Sequence, residues 1–389
     1  MASKIALFAA LIGAAFSAPT SAPSTSSTSS TSNTSTYACP CMTNAVASNS
    51  SALAATVTGV NLNLPSTAFG SAIEGVSVNH KGDVFAVDFR NGSQHGPALT
   101  YGYFHKTNTG TRNILNGSNP LMAIQNDSPN VPLLAGARFL SDGSVLLTDA
   151  NNSRVLRAND IDGRDTYTYC SDPKMLQPND LALNSKRESI IYLSGQNYSL
   201  DTTAGVSGDL WTCDGSIATK FPSSILKAAD IHRTNGIETS HCGQYLYLSS
   251  AKNVNGTVTS NKIFRFEIAK NGSLARKAPT LFHDFIDTAA VDIDAMRVDV
   301  CGNLFVTRNG NGTIAQLSPE GKLLKTIVLP GMGGPSSLEF GGRDGKTLFA
   351  VGKCAAPDAT VGCAASWEAE VPGRAWARLQ QHKREPAAI

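Results

Sequence analysis

Glu74, Asn179, Asn235 and Asp294 stand at one phase of a strand-turn-strand unit that recurs along the chain, far apart in sequence. Two carboxylates and two amide carbonyls are hard oxygen donors with two negative charges. That is the donor type calcium takes in a shell of roughly six to eight oxygens, with room left for water or a substrate. No Cys or His shares the phase, which argues against zinc or copper. Asn and Asp also collect at strand starts through turn chemistry alone. Four oxygen donors in phase, with Ala135 and Ser336 or Ser337 at the two remaining positions, favour a metal site over that explanation.

The unit that must position them is visible in EGVSVNHKGDVFAVD from Glu74, NGIETSHCGQYLYLS from Asn235 and DAMRVDVCGNLFVTR from Asp294. In four units a glycine (Gly82, Gly143, Gly243, Gly302) lies eight residues after the leading position, where a tight hairpin needs positive φ. The third unit has Arg187 there, so its turn must differ. Before the turn apolar residues alternate, as with Met296, Val298 and Val300 against Arg297 and Asp299, the period of a half-buried strand. After it the run is nearly continuous, as in VFAV from Val84 and YLYL from Tyr245, and reads as a strand covered on both faces.

Leading positions near 74, 135, 179, 235, 294 and 337 give a period that wanders between roughly 40 and 60 residues, the spacing of propeller blades with variable outer loops. The expected fold is all-β: a six-bladed β-propeller with a metal site in its central channel. No segment outside the N-terminal leader shows sustained helical spacing.

Residues 1–17 read as a signal peptide, one early lysine and an apolar run ending in small residues, too short for a membrane anchor. Residues 18–36 form a Ser/Thr/Pro-rich linker with almost nothing to join a core. Residues 37–378 are expected to hold the propeller, with the segment up to 68 supplying a strand that closes the ring, and residues 379–389 a flexible tail. N-x-S/T sequons at Asn33, Asn49, Asn91, Asn116, Asn126, Asn151, Asn197, Asn255, Asn271 and Asn311 fit a secreted, extracellular glycoprotein. A formal net charge of +2 with scattered Lys and Arg and no basic stripe argues against nucleic acid and anionic membrane surfaces as partners and leaves a small-molecule substrate. The expected state is a monomer. Eight cysteines suggest disulfides: Cys242 with Cys301 between neighbouring turns and Cys354 with Cys363 closing a loop, while Cys170 and Cys213 flank the third unit's hairpin and Cys39 and Cys41 are left over.

QPNDLAL, RTNGIETSHCGQYLYLS and above all GKLLKTIVLPGMGGPSSLEFGGRDGKTLFAVG resemble the senescence-marker-protein (regucalcin)/gluconolactonase family over about residues 68–353. The resemblance implies a six-bladed propeller with a divalent metal in the channel, usually calcium, and hydrolysis of lactones or phosphotriesters. The family's metal-binding residues fall on Glu74, Asn179, Asn235 and Asp294. Two departures stand out. Ala295 replaces the glycine of the last motif, which an ordinary φ tolerates, and Gln177 replaces the arginine with which the family's sugar lactonases hold substrate.

The expected function is a secreted calcium-dependent hydrolase of lactones or related esters, with another divalent cation as the substitute for calcium. The metal polarises the carbonyl, and Asp294 acts as base or nucleophile. Glu74, Asn179 and Asn235 hold the ion. Asp180 stands beside the ligand set, either as its support or as an ordinary turn residue, while His232 and Arg233 lie either on the rim, where they would bind an acidic group, or in a solvated loop. The alternative is a non-catalytic secreted propeller that binds a ligand or partner around a structural calcium ion, which the loss of arginine at Gln177 favours.

Overall fold

Gly82, Gly143, Gly243 and Gly302 all take positive φ (87°, 89°, 65° and 85°) in the computed structural model, so each closes its hairpin as the repeat requires. The third turn does differ. Asn184 Oδ1 accepts hydrogen bonds from the backbone N–H groups of Lys186 (2.9 Å) and Arg187 (3.0 Å), a side-chain cap replacing the glycine.

The structure describes residues 54–64, 69–89, 101–107, 110–114, 132–159, 165–197, 201–202, 207–286 and 291–382. All lie in the unit Ala38–Ile389. The expected signal peptide and linker, Cys39, Cys41 and the sequons at Asn33, Asn49, Asn91, Asn116 and Asn126 lie outside the described residues.

The chain opens with β1 (Ala55–Thr58) and β2 (Val60–Asn61). A first sheet follows in chain order, β3 (Ile73–Val78), β4 (Val84–Asp88), β5 (Tyr101–Thr107) and β6 (Gly110–Ile114). The second is β7 (Leu134–Phe139), β8 (Val145–Asp149), β9 (Arg154–Ala158) and β10 (Thr166–Ser171), and the third β11 (Pro178–Leu183), β12 (Ile190–Gln196), β13 (Gly208–Asp214) and β14 (Ile217–Lys220). After α1 (Ser223–Ala228) comes the fourth, β15 (Arg233–Thr239), β16 (Tyr245–Val254), β17 (Thr257–Glu267) and β18 (Thr280–Phe285). The fifth holds β19 (Asp292–Val298), β20 (Leu304–Asn309), β21 (Thr313–Leu317) and β22 (Leu323–Val328). The last is β23 (Met332–Gly341), β24 (Thr347–Cys354) and β25 (Gly362–Glu368), and α2 (Arg374–His382) follows.

The leading strands pack in sequence, β3 on β7, then β11, β15, β19 and β23, and β23 returns to β3. This ring of radially stacked antiparallel sheets is an all-β propeller. The lead-in completes it at two places. β2 pairs antiparallel with β25 as the outermost strand of the last sheet, and β1 adds parallel to β22, giving the fifth sheet a fifth strand.

The apolar core lies between sheets. Tyr192 and Leu210 of the third sheet meet Ile237, Leu248 and Phe266 of the fourth, and Phe305 meets Phe340 edge to face at 5.0 Å. The continuous apolar runs of β4, β8 and β12 are buried throughout, as expected of strands covered on both faces. The leading strands are buried more fully than their alternation suggests. Arg297, expected on a solvated face, is 1% exposed, because that face looks across the channel at other leading strands.

Cys170–Cys213 ties β10 to β13 of the next sheet, and Cys354–Cys363 closes the β24–β25 connection. Cys242 and Cys301 are also disulfide-bonded. No helix among the described residues is long and apolar enough to cross a membrane.

The boundary expected at Arg378 falls inside α2, so a flexible tail from 379 is corrected as far as His382. Leu379 is fully buried in the core cluster of the first two sheets, with Ala375 and Trp376 packed beside it. Arg378 Nη2 donates to Phe139 O (2.7 Å) and Gln380 Nε2 to His80 O (3.1 Å). These three apolar residues carry helical spacing over barely two turns, too short a run to stand out after many strands.

Candidate functional site

Every leading strand breaks register with its partner at the same height. Pairing passes from Glu74↔Val87 to Ser77↔Phe85, from Pro178↔Gly195 to Leu181↔Leu193, from Thr234↔Ser250 to Ile237↔Leu248 and from Ile293↔Arg308 to Met296↔Val306. β7 and β23 break at Ala135 and Ser336 in the same way. Asn179, Asn235 and Asp294 are therefore bulged residues, and Glu74 adjoins its bulge. A bulge bends a strand and re-aims its side chains.

A bulged N–H has no ladder partner, and hydroxyls of second strands take its place. Thr148 Oγ1 accepts from Gly136 N (2.6 Å) and donates to Asn179 O (2.7 Å). Ser194 Oγ accepts from Asp180 N (3.2 Å), and Thr307 Oγ1 from Ala295 N (2.8 Å). This accounts for a Ser or Thr inside runs that are otherwise apolar. Gly236, after bulged Asn235, lets the next strand close in: a Cβ there would lie 2.8 Å from Asp294 O. Ala295 is absent from the positive-φ residues, so its methyl is tolerated as the sequence suggested.

Glu74, Asn179 and Asp294 line one small cavity in the channel together with Asp180 and Ser337. Asn235 joins them from the side, 5% exposed, its Nδ2 donating to Asp294 Oδ1 at 2.8 Å. The structure thus brings all four predicted residues to one level. Asn309 Nδ2 donates to the other oxygen, Asp294 Oδ2, also at 2.8 Å. Asn309 was not foreseen; it ends the second strand, directly opposite the lead-in to Asp294, and only its position in the hairpin marks it.

The electrostatics are those of crowded acids. Burial, then Asp294, Asp180 and Asp88, hold the Glu74 carboxyl well above the usual carboxylate range. Asp294 is pushed up to about 7 by burial and by Asp292, against the opposing pull of the Asn309 and Asn235 hydrogen bonds and of Arg233. Both acids are partly open to the channel yet lie deep in the molecule. Asn235 Oδ1 is buried and has no hydrogen-bond partner. An orphaned acceptor between disfavoured carboxylates fits a cation that takes oxygen ligands. Among the described residues no group of three or more His, Cys, Asp or Glu is arranged to hold a metal, so this donor set rests on its two amides as much as on its acids.

Three residues below the leading position lies a second ring that sequence reasoning passed over, with Arg138, Glu238, Arg297 and Glu339 all buried. Asp180 bridges the two levels. Its Oδ1 lies 3.1 Å from Arg138 Nη2, its Oδ2 3.4 Å from Arg297 Nη1, and Arg297 Nε bonds Glu339 Oε2 at 3.1 Å. Asp180 is therefore a buried support of the site floor and not a turn residue. Arg374 of α2 pairs with Glu238 from beneath. At the rim Arg233 is buried and paired with Asp292, while His232 sits between Thr202 O (3.1 Å) and Asp230 Oδ1 (2.9 Å). Gln177 is exposed just before β11.

The family model described as "SMP-30/Gluconolactonase/LRE-like region" matches residues 107–351, more than half of the 389-residue chain. The chain belongs to this family. Members of the SMP-30/gluconolactonase family are also among its structural neighbours. A calcium-binding protein, regucalcin, from Agrobacterium tumefaciens str. C58 superposes with a TM-score of 0.58 at 14% identity, covering 82% of this chain and 99% of its own. A luciferin-regenerating enzyme gives 0.57 at 14% identity, over 81% and 96%. A gluconolactonase from Xanthomonas campestris gives 0.52 at 16%, over 77% and 88%. At these identities the likeness is one of fold. No curated protein sequence matches the chain.

Proposed function

We infer that this chain is a secreted hydrolase of lactones or related esters, built as a six-bladed propeller around a divalent cation, calcium by donor chemistry. The observation that carries the reading is the buried, unpartnered Oδ1 of Asn235 beside Asp294 and on a level with Glu74 and Asn179. Membership of the family supports the lactonase type of chemistry.

Glu74, Asn179, Asn235 and Asp294 would hold the ion. Bound there, calcium would supply Lewis-acid polarisation of a carbonyl oxygen. Asp294 takes the proton of the attacking water, its carboxylate being the form a bound cation favours. Asn235 and Asn309 fix its plane by bonding one oxygen each. Water's oxygen forms the new bond to the carbonyl carbon, the ester C–O bond breaks, and the proton on Asp294 passes to the departing alkoxide. A lactone then leaves as a hydroxy acid. Gln177, where the family's sugar lactonases resemble one another in an arginine, leaves a sugar lactone without that contact. The same residue favours a second reading, a non-catalytic binding propeller with calcium as a structural plug.

Turnover of a panel of lactones and aryl esters, with calcium and after chelation, beside Asp294→Asn, separates the two. Chelator-sensitive hydrolysis that disappears in the variant supports the enzyme. Calcium-dependent melting without turnover of any ester supports the binding propeller. Stability indifferent to chelation removes the metal from both.

A further inference from the structure

Among the described residues the sequons gather at one end of the ring. Asn151 follows β8, Asn197 follows β12, Asn255 lies between β16 and β17, and Asn311 between β20 and β21. Each of these is the connection from the second to the third strand of a sheet. Because Asp149 pairs with Leu134, Gly195 with Pro178, Ala251 with Arg233 and Asn309 with Asp292, these connections all leave the ring at the end where the site residues sit. All four asparagines are exposed. In the last sheet the corresponding connection carries no sequon and is closed by Cys354–Cys363. On the opposite end, among the described residues, only Asn271 belongs to a sequon.

We propose that Asn151, Asn197, Asn255 and Asn311 carry N-linked glycans that ring the channel mouth above Glu74 and Asp294. The donor is a lipid-linked oligosaccharide pyrophosphate. The asparagine Nδ2 bonds to the sugar's anomeric carbon as that carbon's bond to phosphate oxygen breaks, the lipid pyrophosphate leaves, and the amide gives up one proton. At Asn311 the Thr313 hydroxyl already donates to Oδ1 at 2.5 Å, which leaves the nitrogen as the group to be modified. Hydrated chains rooted at this rim would admit small solutes and hold back macromolecules. The proposal rests on the secretory reading above and not on the metal or the chemistry.

The full chain with its own leader, produced in a eukaryotic secretory host, is treated with peptide-N-glycosidase in heavy-oxygen water and mapped by mass spectrometry. Labelled aspartate is expected at all four rim positions, and Asn→Gln at each should remove one step of gel mobility. Secreted protein with these asparagines unlabelled overturns the crown while leaving secretion intact. Unlabelled chain retained inside the cell overturns both.

Discussion

Asn235 reaches from the fourth sheet to the fifth and donates its amide Nδ2 to Asp294 Oδ1 at 2.8 Å, while its own Oδ1 remains without a partner. In the proposed site one side chain would both orient Asp294 and offer an acceptor to a cation. Asn235→Ala should weaken calcium binding by roughly 10–100-fold, the loss typical when an orienting partner at a metal site is removed. Titration calorimetry with calcium chloride measures it. An unchanged affinity would remove Asn235 from the ligand set.

The raised Asp294 carboxyl sets a pH dependence. Its folded pKa of about 7 lies above its ordinary 3.8, so the folded state holds a proton that the unfolded chain has released between those values. Stability of the calcium-free protein from this group is full below pH 4 and lost as pH rises to 7, by at most about 1.4 kcal/mol per pH unit. Glu74, raised in the same direction, adds to the trend. Melting in chelator should therefore favour pH 5 over pH 8, and calcium should narrow the gap because it binds the deprotonated acids. Asp294→Asn should flatten the chelator profile; a profile as steep as the parent's would assign it elsewhere.

Asp180 holds Arg138 and Arg297 in the buried ring. Asp180→Ala leaves two buried guanidinium groups without that partner and should cost about 3–5 kcal/mol in urea unfolding. A loss below 1 kcal/mol, roughly the worth of a surface pair, would mean the backbone contacts of Arg297 suffice.

Gly236→Ala places a methyl 2.8 Å from Asp294 O and 3.2 Å from Ala295 Cα. Adjacent strands must part, with an expected cost of about 1–3 kcal/mol and a weaker calcium site. Thermal shift with and without calcium reads both effects at once.

Truncation after Arg378 removes Leu379 from the core. The loss should be at least that of Leu379→Ala, about 2–5 kcal/mol by denaturant midpoint.

Much of this was legible in the chain. Hairpin glycines announce themselves because only they take positive φ without strain, and Glu74, Asn179, Asn235 and Asp294 share a phase because one bulge recurs in each leading strand. Arg297 was misread for a reason of geometry. Alternation shows which residues share a face, and whether that face meets water depends on how the ring closes. Asn309 is invisible locally, since its partner Asp294 stands across a hairpin and any Asn after a strand looks like a turn former. The helix α2 contributes too few turns to show a period, although Arg374 reaches Glu238 in the channel.

β2 pairs with β25, so Val60 lies opposite Ser366. An early segment of the chain thus finds its neighbour only after more than three hundred residues have been made. During synthesis the growing ring stays an open horseshoe with an unpaired edge, and the final sheet cannot be completed by local contacts alone. Such long-range closure is slow and leaves strand edges open to other chains meanwhile. The molecule's last folding event is therefore expected to be the meeting of its two ends.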